Sequence, residues 1–378
     1  MRVLIVGDFS SFSKNLSPGF RALGHECFVF SWGDGFKKIT QGSNSYTVSP
    51  PIIYVRLFKK IFKKLSVFYA TLKLRRFVYE MSKKEKWDVI LIINPIFINK
   101  TLYDYKFSKR MFLSLVSNPD NIFLEACGGD VPYYDYWITQ DWKNKQQVLL
   151  HSKKRLNKSE RKHFEYYSSF INKVIPMSYT YAEAWRKSVY AQSKSFLVCP
   201  TIPAPIDTSQ NQPYNEIGEK IVIFHGIVRP KDKGTEYIVK AMEKLQQTYP
   251  SLVECHAKGG LPLNEYLELL KRTNILIDQT YACSTGMNAL YALAMGKVVL
   301  GGNEPENSIE FNYPNIPVIN IGPDSEQIFK ELEYLIHNPS VIMKLSREGR
   351  KYVESLHDSK IVAQKFIETF KKFGTELS

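Results

Sequence analysis

One loop of this sequence combines cations and glycines in a way that suits an anionic ligand. The loop reads HGIVRPKDKGT at residues 225–235, between a predicted strand and a predicted helix. Arg229 and Lys233 lie four residues apart, and Gly226 lets the backbone approach a ligand closely. A guanidinium, an ammonium and the amides of a helix N-terminus are groups that bind a diphosphate. A solvated basic turn has the same pattern, so both interpretations stay open.

A second candidate site lies in the segment IDQTYACSTGMNALYALAMGKVVLGGNEPE, residues 277–306. It predicts a strand end, a loop of small residues, a helix and a second strand, and ligands of open α/β sheets bind at such strand ends. The candidate binding residues lie at the helix start and after the second strand: Gly286, Met287, Asn288, Ala289, Glu304 and Glu306. The alternatives are helix packing for the alanines and exposed loop charges for the two glutamates.

Strands and helices able to position these residues alternate through both halves of the chain. The predicted strands are 3–6, 27–31, 89–93, 221–224, 252–256, 275–277 and 298–300. The predicted helices are a segment ending near residue 24 and the segments 235–249, 263–272 and 288–295. This alternation is typical of doubly wound α/β domains. The predicted units are an N-terminal domain at 1–200, a proline-rich linker at 201–218, a C-terminal domain at 219–350, and a helical segment at 351–378 that is able to pack back on the N-terminal domain.

In the second half of the chain the elements follow the order strand, R-x-x-x-K-G-T, helix, I-D-Q, G-x-x-A-L-x-A-x-A-x-G-K-x-V. This order resembles the C-terminal domain of retaining family-4 glycosyltransferases with the GT-B fold. The resemblance is specific over residues 219–310. It is looser in the first half, where CGGDVPYY at 127–134 resembles a loop of the family's N-terminal domain and VCPTIPAPID at 198–207 resembles the start of its linker. It implies an α/β protein of two Rossmann-like domains facing a central cleft, a nucleotide diphosphate-sugar as donor substrate, and no cofactor.

The resemblance also implies roles for single residues. Arg229 and Lys233 match the cations that neutralise the donor diphosphate as it leaves, and residues 286–288 match a loop whose amides meet the phosphates or the sugar. The family's two glutamates, eight positions apart, correspond here to Cys283 and Tyr291. A phenol still forms a hydrogen bond to a ribose, but it lacks the charged, bidentate acceptor of a carboxylate. One of the two loop glutamates would then supply the missing acceptor.

The N-terminal domain is the predicted acceptor side. The family's glycine pair after the first strand is absent, and GDFSSFSKN at 7–15 takes its place. The residues predicted to contact the acceptor or a phosphate are Asp8, Ser10, Ser11 and Gly129. Asp130, in the same CGGD loop as Gly129, is the candidate for the group near the attacking hydroxyl, and a helix N-cap or a turn residue is the alternative.

No metal ion is expected in the reaction. No two aspartates are separated by a single residue, and the seven histidines show no ligand spacing. Arg229 and Lys233 would then give the electrostatic stabilisation that a divalent cation gives elsewhere. The family's mechanism implies front-face attack, in which the leaving diphosphate helps to deprotonate the acceptor hydroxyl and no enzyme nucleophile takes part.

Charge divides the chain into two unlike halves. Residues 1–200 hold 32 Lys and Arg against 15 Asp and Glu, a net of +17, and the remainder holds 19 against 22, a net of −3. A basic half implies an anionic partner. No apolar run approaches the ~18 residues that span a membrane, and no secretory leader precedes the first strand. The five widely spaced cysteines predict ordinary thiols, and a cytoplasmic location is expected.

One strongly basic segment, 56–86, predicts contact with a membrane surface. It holds eleven Lys and Arg against two Glu, and its apolar residues recur at helical spacing. The lysines that fall largely off that stripe are Lys59, Lys60, Lys63 and Lys64. Such a helix lies in an anionic membrane interface, which predicts a peripheral position on the inner face of the cell membrane. A second basic run at 143–162 supports this. The alternative is a helix whose apolar face covers the sheet.

The leading functional prediction is a retaining glycosyltransferase that moves a hexose or similar sugar from a nucleotide diphosphate donor to a glycan or lipid-linked glycan in surface polysaccharide assembly. The replaced glutamate pair leaves a second hypothesis open: a catalytically weakened family member that binds a glycan or a partner protein. A third is a polyanion- or RNA-binding protein, although the sequence shows no nucleic-acid-binding signature and we expect no nucleic acid partner.

Overall fold

The computed structural model describes residues 1–31, 45–47, 72, 75–84, 86–94, 109–140, 158–261 and 263–377. The lysines predicted to contact a membrane, Lys59, Lys60, Lys63 and Lys64, lie outside these residues, as does most of the basic run at 143–162. The membrane surface therefore stays a prediction.

A parallel sheet of seven strands forms the core of the first half of the chain. In chain order its strands are β1 (Arg2–Val6), β2 (Glu26–Ser31), β3 (Ser45–Thr47), β4 (Val89–Ile93), β5 (Ile122–Ala126), β6 (Lys173–Pro176) and β7 (Leu197–Val198). They lie side by side in the order β3-β2-β1-β4-β5-β6-β7. Strand β4 is buried along its whole length, which explains why it reads as a continuous apolar run in the sequence.

Helices cover both faces of this sheet. They are α1 (Phe12–Ala22), α2 (Lys109–Leu115), α3 (Val131–Trp137), α4 (Lys158–Ser168), α5 (Tyr179–Arg186) and α6 (Val189–Gln192), with a further helical segment at 75–82. Strand β1 shows the two faces. Val3 and Ile5 pack in the apolar cluster that contains α1, and Leu4 and Val6 pack in the cluster that contains α2 and α4.

The second half of the chain repeats this design with five parallel strands. They are β8 (Ile221–Ile227), β9 (Val253–Gly259), β10 (Ile275–Ile277), β11 (Val298–Gly301) and β12 (Ile319–Asn320), in the spatial order β12-β11-β10-β8-β9. The helices are α7 (Pro230–Lys233), α8 (Thr235–Thr248), α9 (Leu263–Arg272), α10 (Met287–Ala294), α11 (Glu306–Glu310), α12 (Ser325–His337), α13 (Pro339–Tyr352) and, after a π-helical turn at Val353–His357, α14 (Ser359–Phe373).

The chain crosses between the two sheets twice, and the two crossings are hydrogen-bonded to each other. The Ile206 amide donates to the His357 carbonyl at 2.7 Å, and the Ser359 amide donates to the Ile206 carbonyl at 3.0 Å. Helix α14 then packs against α1, where the rings of Phe20 and Phe370 stack 6.3 Å apart. The last helix of the chain therefore packs against the N-terminal half of the protein.

His357 is buried where the two crossings meet. Its Nδ1 lies 2.8 Å from the Ala204 carbonyl and its Nε2 lies 3.0 Å from the Tyr352 hydroxyl, so the neutral ring donates to the carbonyl and accepts from the phenol. Burial lowers the pKa of His357 from 6.5 to about 4. The folded protein therefore disfavours the imidazolium, which the unfolded chain accepts readily.

Acid is expected to destabilise the fold through His357. Because the pKa of His357 is lower in the folded state, the neutral ring contributes to the free energy of unfolding. This contribution is fully present above pH 6.5 and is lost as the pH falls toward 4. Between pH 7.5 and pH 5 the loss amounts to about 2 kcal/mol. His357→Asn keeps a donor for the Ala204 carbonyl but cannot titrate, so its free energy of unfolding should lose that part of the pH dependence in chemical denaturation. An unchanged pH dependence would contradict this assignment.

Among the helices of the described residues, none combines the length and the apolar character needed to cross a bilayer. All five cysteines are free thiols, and four of them are buried.

Candidate active site

The loop that carries Arg229 and Lys233 changes direction twice between β8 and α8. Arg229 has a left-handed backbone (φ 57°), α7 makes a single turn, and Gly234 is left-handed again (φ 65°). A β-carbon at position 234 would lie 2.0 Å from the Thr280 hydroxyl oxygen, so a glycine is required there. Arg229 is left with 60% of its side chain exposed, 3.9 Å from the Asp232 carboxylate. Lys233, by contrast, is buried.

Lys233 forms a buried ion pair with Asp278, the residue that follows β10. Its ammonium lies 2.6 Å from Oδ1 of Asp278, and the same oxygen accepts a hydrogen bond from the Asn288 amide at 3.1 Å. Asn288 in turn accepts from the Tyr266 hydroxyl at 2.5 Å. Burial alone would raise the pKa of Asp278, but the Lys233 ammonium outweighs burial and holds the pKa below its ordinary value. Lys233 and Asn288, both predicted, thus meet on the aspartate of the I-D-Q element, for which the sequence predicts no role.

This pairing gives Lys233 a partner that the sequence does not predict. The sequence predicts two cations available to a diphosphate, whereas only Arg229 of the two is widely exposed to solvent. Asp278 compensates the charge of Lys233, and 10% of the lysine side chain is accessible. An anion at this edge of the sheet must share the ammonium with Asp278.

His225 ties β8 to β10 and to α8. Its Nδ1 lies 2.8 Å from the Ile277 carbonyl, and its Nε2 lies 2.9 Å from the Thr235 hydroxyl. Burial lowers the pKa of His225, so the ring is neutral and donates to the carbonyl. The next residue, Gly226, lies beside the Tyr266 ring, where a β-carbon would be only 3.1 Å from a ring carbon. The sequence pattern assigns His225 no role, although its position directly after the predicted strand is a signal for one.

Helix α10 begins without a side chain that caps its first turn. Gly286 is the N-cap residue and has no side chain to donate or accept, so the first amides of the helix stay available at its positive end. Met287 and Asn288 are partly exposed, whereas Ala289 is buried in the core. The predicted helix start is therefore present, anion binding there stays a prediction, and Ala289 follows the helix-packing alternative.

At the two positions that correspond to the family's glutamates, the side chains contact other residues of the protein. Cys283 is fully buried. The Tyr291 hydroxyl accepts from the Asn15 amide at 2.7 Å and is also hydrogen-bonded to the Ser11 side chain. Asn15 donates in addition to the Pro205 carbonyl at 3.0 Å. Tyr291 therefore joins α10 to α1 and, through Asn15, to the linker.

The loop after β1 takes a backbone shape that usually needs glycine. Ser10 and Ser11 have positive φ angles of 50° and 67°, and Gly7 has a φ of 111°. Left-handed serines are uncommon because the β-carbon crowds the backbone. Asp8 accepts a hydrogen bond from the Ser13 amide at 3.0 Å. The glycine pair is missing from the sequence, yet two serines adopt the conformation that glycine favours.

Asp130 is the N-cap residue of α3. Its Oδ1 accepts from the Tyr133 amide and its Oδ2 accepts from the Trp185 indole, each at 2.9 Å. Burial raises the pKa of Asp130 to about 7. Both oxygens accept hydrogen bonds inside the N-terminal half, so Asp130 is the N-cap that the alternative expects, and its role near the attacking hydroxyl stays a prediction. Beside it, a β-carbon on Gly129 would lie 2.2 Å from the Tyr134 hydroxyl oxygen, so packing explains that glycine.

The loop after β11 runs alongside the loop before α10. The Glu304 amide donates to the Cys283 carbonyl at 3.1 Å. Oε2 of Glu306 is buried and has no hydrogen-bond partner among the described residues. Glu310, at the end of α11, forms a bidentate ion pair with Arg186 of α5, with N–O distances of 2.7 and 2.8 Å. Of the two predicted glutamates, Glu306 thus has a buried oxygen without a partner among the described residues. Glu310, which the sequence pattern does not single out, joins the two halves.

Within the described ranges, no three His, Cys, Asp or Glu side chains are grouped as metal ligands would be. At the carboxyl edge of β8 and β10 lie the Lys233–Asp278 pair, the first amides of α10, and the loop on which Arg229 is 3.9 Å from Asp232. This arrangement can hold an anion and stabilise negative charge that develops on it.

No protein-family model matches the sequence, and no curated protein matches it significantly. Solved structures, however, match along almost the whole chain. Sucrose-phosphate synthase from Thermosynechococcus elongatus is 14% identical, with 98% of this chain and 99% of that one covered and a TM-score of 0.58. Anabaena HepE in complex with UDP-glucose is 11% identical, with 98% and 100% covered and a TM-score of 0.59. A putative UDP-N-acetylglucosamine 2-epimerase from Listeria monocytogenes is 11% identical, with 100% and 97% covered and a TM-score of 0.52.

These likenesses agree with the architecture described above. Each half of the chain holds its own parallel sheet with helices packed against it, and the sheets are joined by two crossings. The fold class predicted from the sequence is confirmed: this chain is an α/β protein with the GT-B fold, built from two doubly wound, Rossmann-like domains.

Proposed function

We propose that this protein is a glycosyltransferase whose donor is a nucleotide diphosphate-sugar. The observation that carries the proposal is that Lys233 and Asn288, at the start of α10, meet on Asp278 at the carboxyl edge of the second sheet, beside the loop that holds Arg229. Ligands of open α/β sheets bind at that edge, and cations combined with helix amides suit a diphosphate. A protein of the same fold, Anabaena HepE, was crystallised with UDP-glucose, which supports the proposed donor class.

In the proposed reaction the acceptor hydroxyl attacks the anomeric carbon on the face from which the diphosphate leaves, so the anomeric configuration is retained. A new bond forms between the acceptor oxygen and the anomeric carbon. The bond to the diphosphate breaks with its electron pair, and the acceptor proton passes to a diphosphate oxygen. Arg229 and the shared Lys233 ammonium stabilise the leaving charge without a metal ion, and positioning between the two domains brings the reactants together.

The proposed acceptor is a glycan or a lipid-linked glycan, and the proposed role is surface polysaccharide assembly at the inner face of the cell membrane. The net charge of +17 on residues 1–200 supports an anionic surface or lipid phosphate as a partner of this half. Co-sedimentation with anionic vesicles, compared with neutral vesicles, tests the membrane part of the proposal.

Product analysis tests the proposed reaction. Thermal melting with UDP-, GDP-, ADP- and CMP-sugars first identifies the donor, because a ligand that binds the folded state raises the melting temperature. NMR of that donor, incubated with and without glycans, then separates the reactions. Transfer yields a glycoside of retained configuration and free nucleoside diphosphate, whereas epimerisation yields a new sugar nucleotide. A protein whose melting temperature no nucleotide sugar raises would contradict the proposal.

Arg229→Ala is expected to weaken the binding of UDP about tenfold. A hydrogen bond to a charged group is worth about 1.5 to 3 kcal/mol, and an exposed guanidinium belongs at the lower end. Calorimetry measures the affinity. Lys231→Ala is the matched control, since it removes the same charge from an exposed neighbouring position. Equal affinities for the two variants would show that Arg229 does not contact the phosphates.

A further inference from the structure

Tyrosines cluster where α3 and α5 pack together. Tyr133 and Tyr136 lie on α3, Tyr179 and Tyr181 lie on α5, and all four are partly exposed. The rings of Tyr133 and Tyr181 are 5.2 Å apart. The buried Trp137 lies among them, 4.9 Å from the Tyr136 ring and 6.4 Å from the Tyr179 ring. Because the rings pack against each other, these four tyrosines form a fixed aromatic surface, called here the tyrosine surface.

The tyrosine surface lies next to the candidate active site. Ser178, which directly precedes α5, lines a small cavity together with Ser284 and Thr285 of the loop before α10. Helix α11 packs against α5. Burial raises the pKa of Tyr179, and the nearby Glu306 carboxylate raises it further. The loop before α10 and the tyrosine surface are therefore neighbouring walls on the two sides of the domain boundary.

At this boundary, several buried polar atoms have no hydrogen-bond partner among the described residues. Oε2 of Glu306 and the hydroxyl of Ser284 are buried without a hydrogen bond to any described residue. Buried polar atoms are nearly always hydrogen-bonded, so such atoms call for a ligand or a water molecule. On the other wall, the Tyr136 hydroxyl donates to Glu183 at 3.2 Å. The boundary therefore combines aromatic rings with carboxylates and hydroxyls.

The charges of the tyrosine surface do not suit an anion. Helices α3 and α5 carry two carboxylates, Asp135, which is paired with Arg161 of α4, and Glu183, and a single cation, Arg186. Arg186 is held by Glu310 in a bidentate ion pair. Glu306 adds a further carboxylate from the opposite side. A phosphate or uronate would be repelled here, whereas an uncharged ligand would not.

We propose that the tyrosine surface binds the acceptor, and that the part of the acceptor in contact with it is an uncharged sugar. This inference rests on the proposed function and names its acceptor class. A pyranose has an apolar C–H face and a rim of hydroxyls, which match the tyrosine rings and the Glu183 and Glu306 carboxylates beside them. The charged part of a lipid-linked acceptor would lie elsewhere, toward the basic residues of the first half.

Saturation-transfer NMR on the full chain tests this, with maltose, cellobiose and lactose as neutral probes and a heparin disaccharide as the anionic probe, each with and without UDP. At least one neutral disaccharide should bind. Tyr179→Leu should weaken that binding about tenfold, while Tyr179→Phe, which keeps the ring, should not. Glu306→Gln, which keeps the size of the side chain, should also weaken it. The matched control is Tyr334→Leu, which replaces an exposed tyrosine on α12.

The inference is overturned if no neutral disaccharide binds, if the heparin disaccharide binds more tightly than all of them, or if Tyr179→Leu and Tyr334→Leu have equal effects. UDP affinity is measured on the same samples. UDP binding without disaccharide binding overturns the acceptor site alone and leaves the donor proposal intact. Disaccharide binding that depends on Tyr179 in a protein that does not bind UDP supports a sugar site and refutes the donor proposal.

Discussion

Replacing Asp278 with asparagine is expected to weaken the fold and, at the same time, to strengthen the binding of a nucleoside diphosphate. The Asp278 carboxylate compensates the buried Lys233 ammonium at 2.6 Å. Loss of one partner of a buried ion pair costs about 3 to 5 kcal/mol, and asparagine, which can still accept a hydrogen bond, belongs near 3. The uncompensated ammonium becomes fully available to the phosphates. A charged hydrogen bond of at least ~1.5 kcal/mol then means about tenfold tighter binding. Chemical denaturation measures the first effect, and calorimetry with UDP measures the second.

A variant of Lys233 and a double variant of Lys233 and Asp278 test the same assignment, that Asp278 competes with the phosphates for the Lys233 ammonium. Lys233→Met leaves the Asp278 carboxylate buried without a cation, so stability should again fall by about 3 kcal/mol, but UDP affinity should fall instead of rising. The double variant Lys233→Met with Asp278→Leu removes both charges. Its stability should largely recover, because apolar residues replace a buried ion pair at little cost, while its UDP affinity should stay low. If Asp278→Asn bound UDP no more tightly than the unaltered protein, the ion pair would be structural only.

This ion pair has a chemical consequence for turnover. An ammonium that is already held by a carboxylate attracts an anion less strongly than a free one. In the proposed reaction the pair would therefore limit how tightly the nucleoside diphosphate product is held, while the exposed Arg229 would turn toward the phosphates. In this scheme Asp278 is a positioning residue that acts through Lys233.

The strands that the sequence predicts best are those buried on both faces. The observed bounds of β4 and β10 are the predicted ones, because parallel strands covered on both sides read as short apolar runs. Strand β8 continues three residues past its predicted end at 224, since the residues after Phe224 keep pairing with β9. Strand β6 has no such signal, because two of its four residues are Lys173 and Pro176. The Lys173 ammonium donates to the Asp120 carbonyl at 2.6 Å, a contact that no local pattern shows.

The candidate site could be predicted in its elements but not in its contacts. The loop at 225–235 and the helix start at 286–288 were expected at one sheet edge, and Asp278 joins them there. No local pattern shows that Asp278 is the partner of Lys233, because 45 residues separate them and their contact depends on the pairing of β8 with β10. The bond from Asn15 to Tyr291, across 276 residues, depends in the same way on how the two domains pack.

Replacing Gly19 with alanine is expected to destabilise the protein by about 3 kcal/mol, although alanine is the better helix former. Gly19 lies in α1 where the backbone of α14 touches it. A β-carbon there would be 2.0 Å from the Ser359 carbonyl oxygen and 2.9 Å from the β-carbon of Ala363. The clash is with backbone, so no side-chain rotation relieves it, and α14 must move off α1. The stacking of Phe20 on Phe370 would be lost with that movement.

Thermal melting and hydrogen exchange of residues 359–373 measure the effect of Gly19→Ala. Gly218→Ala is the matched control, because a β-carbon there meets no atom within 4 Å. That change should be neutral or slightly stabilising through the entropy of the unfolded chain. Since the Ser359 hydroxyl donates to the Asn15 carbonyl and the Asn15 amide donates to Tyr291, displacement of α14 should also weaken UDP binding. Equal melting temperatures for the two variants would show that α14 does not need its close contact with α1.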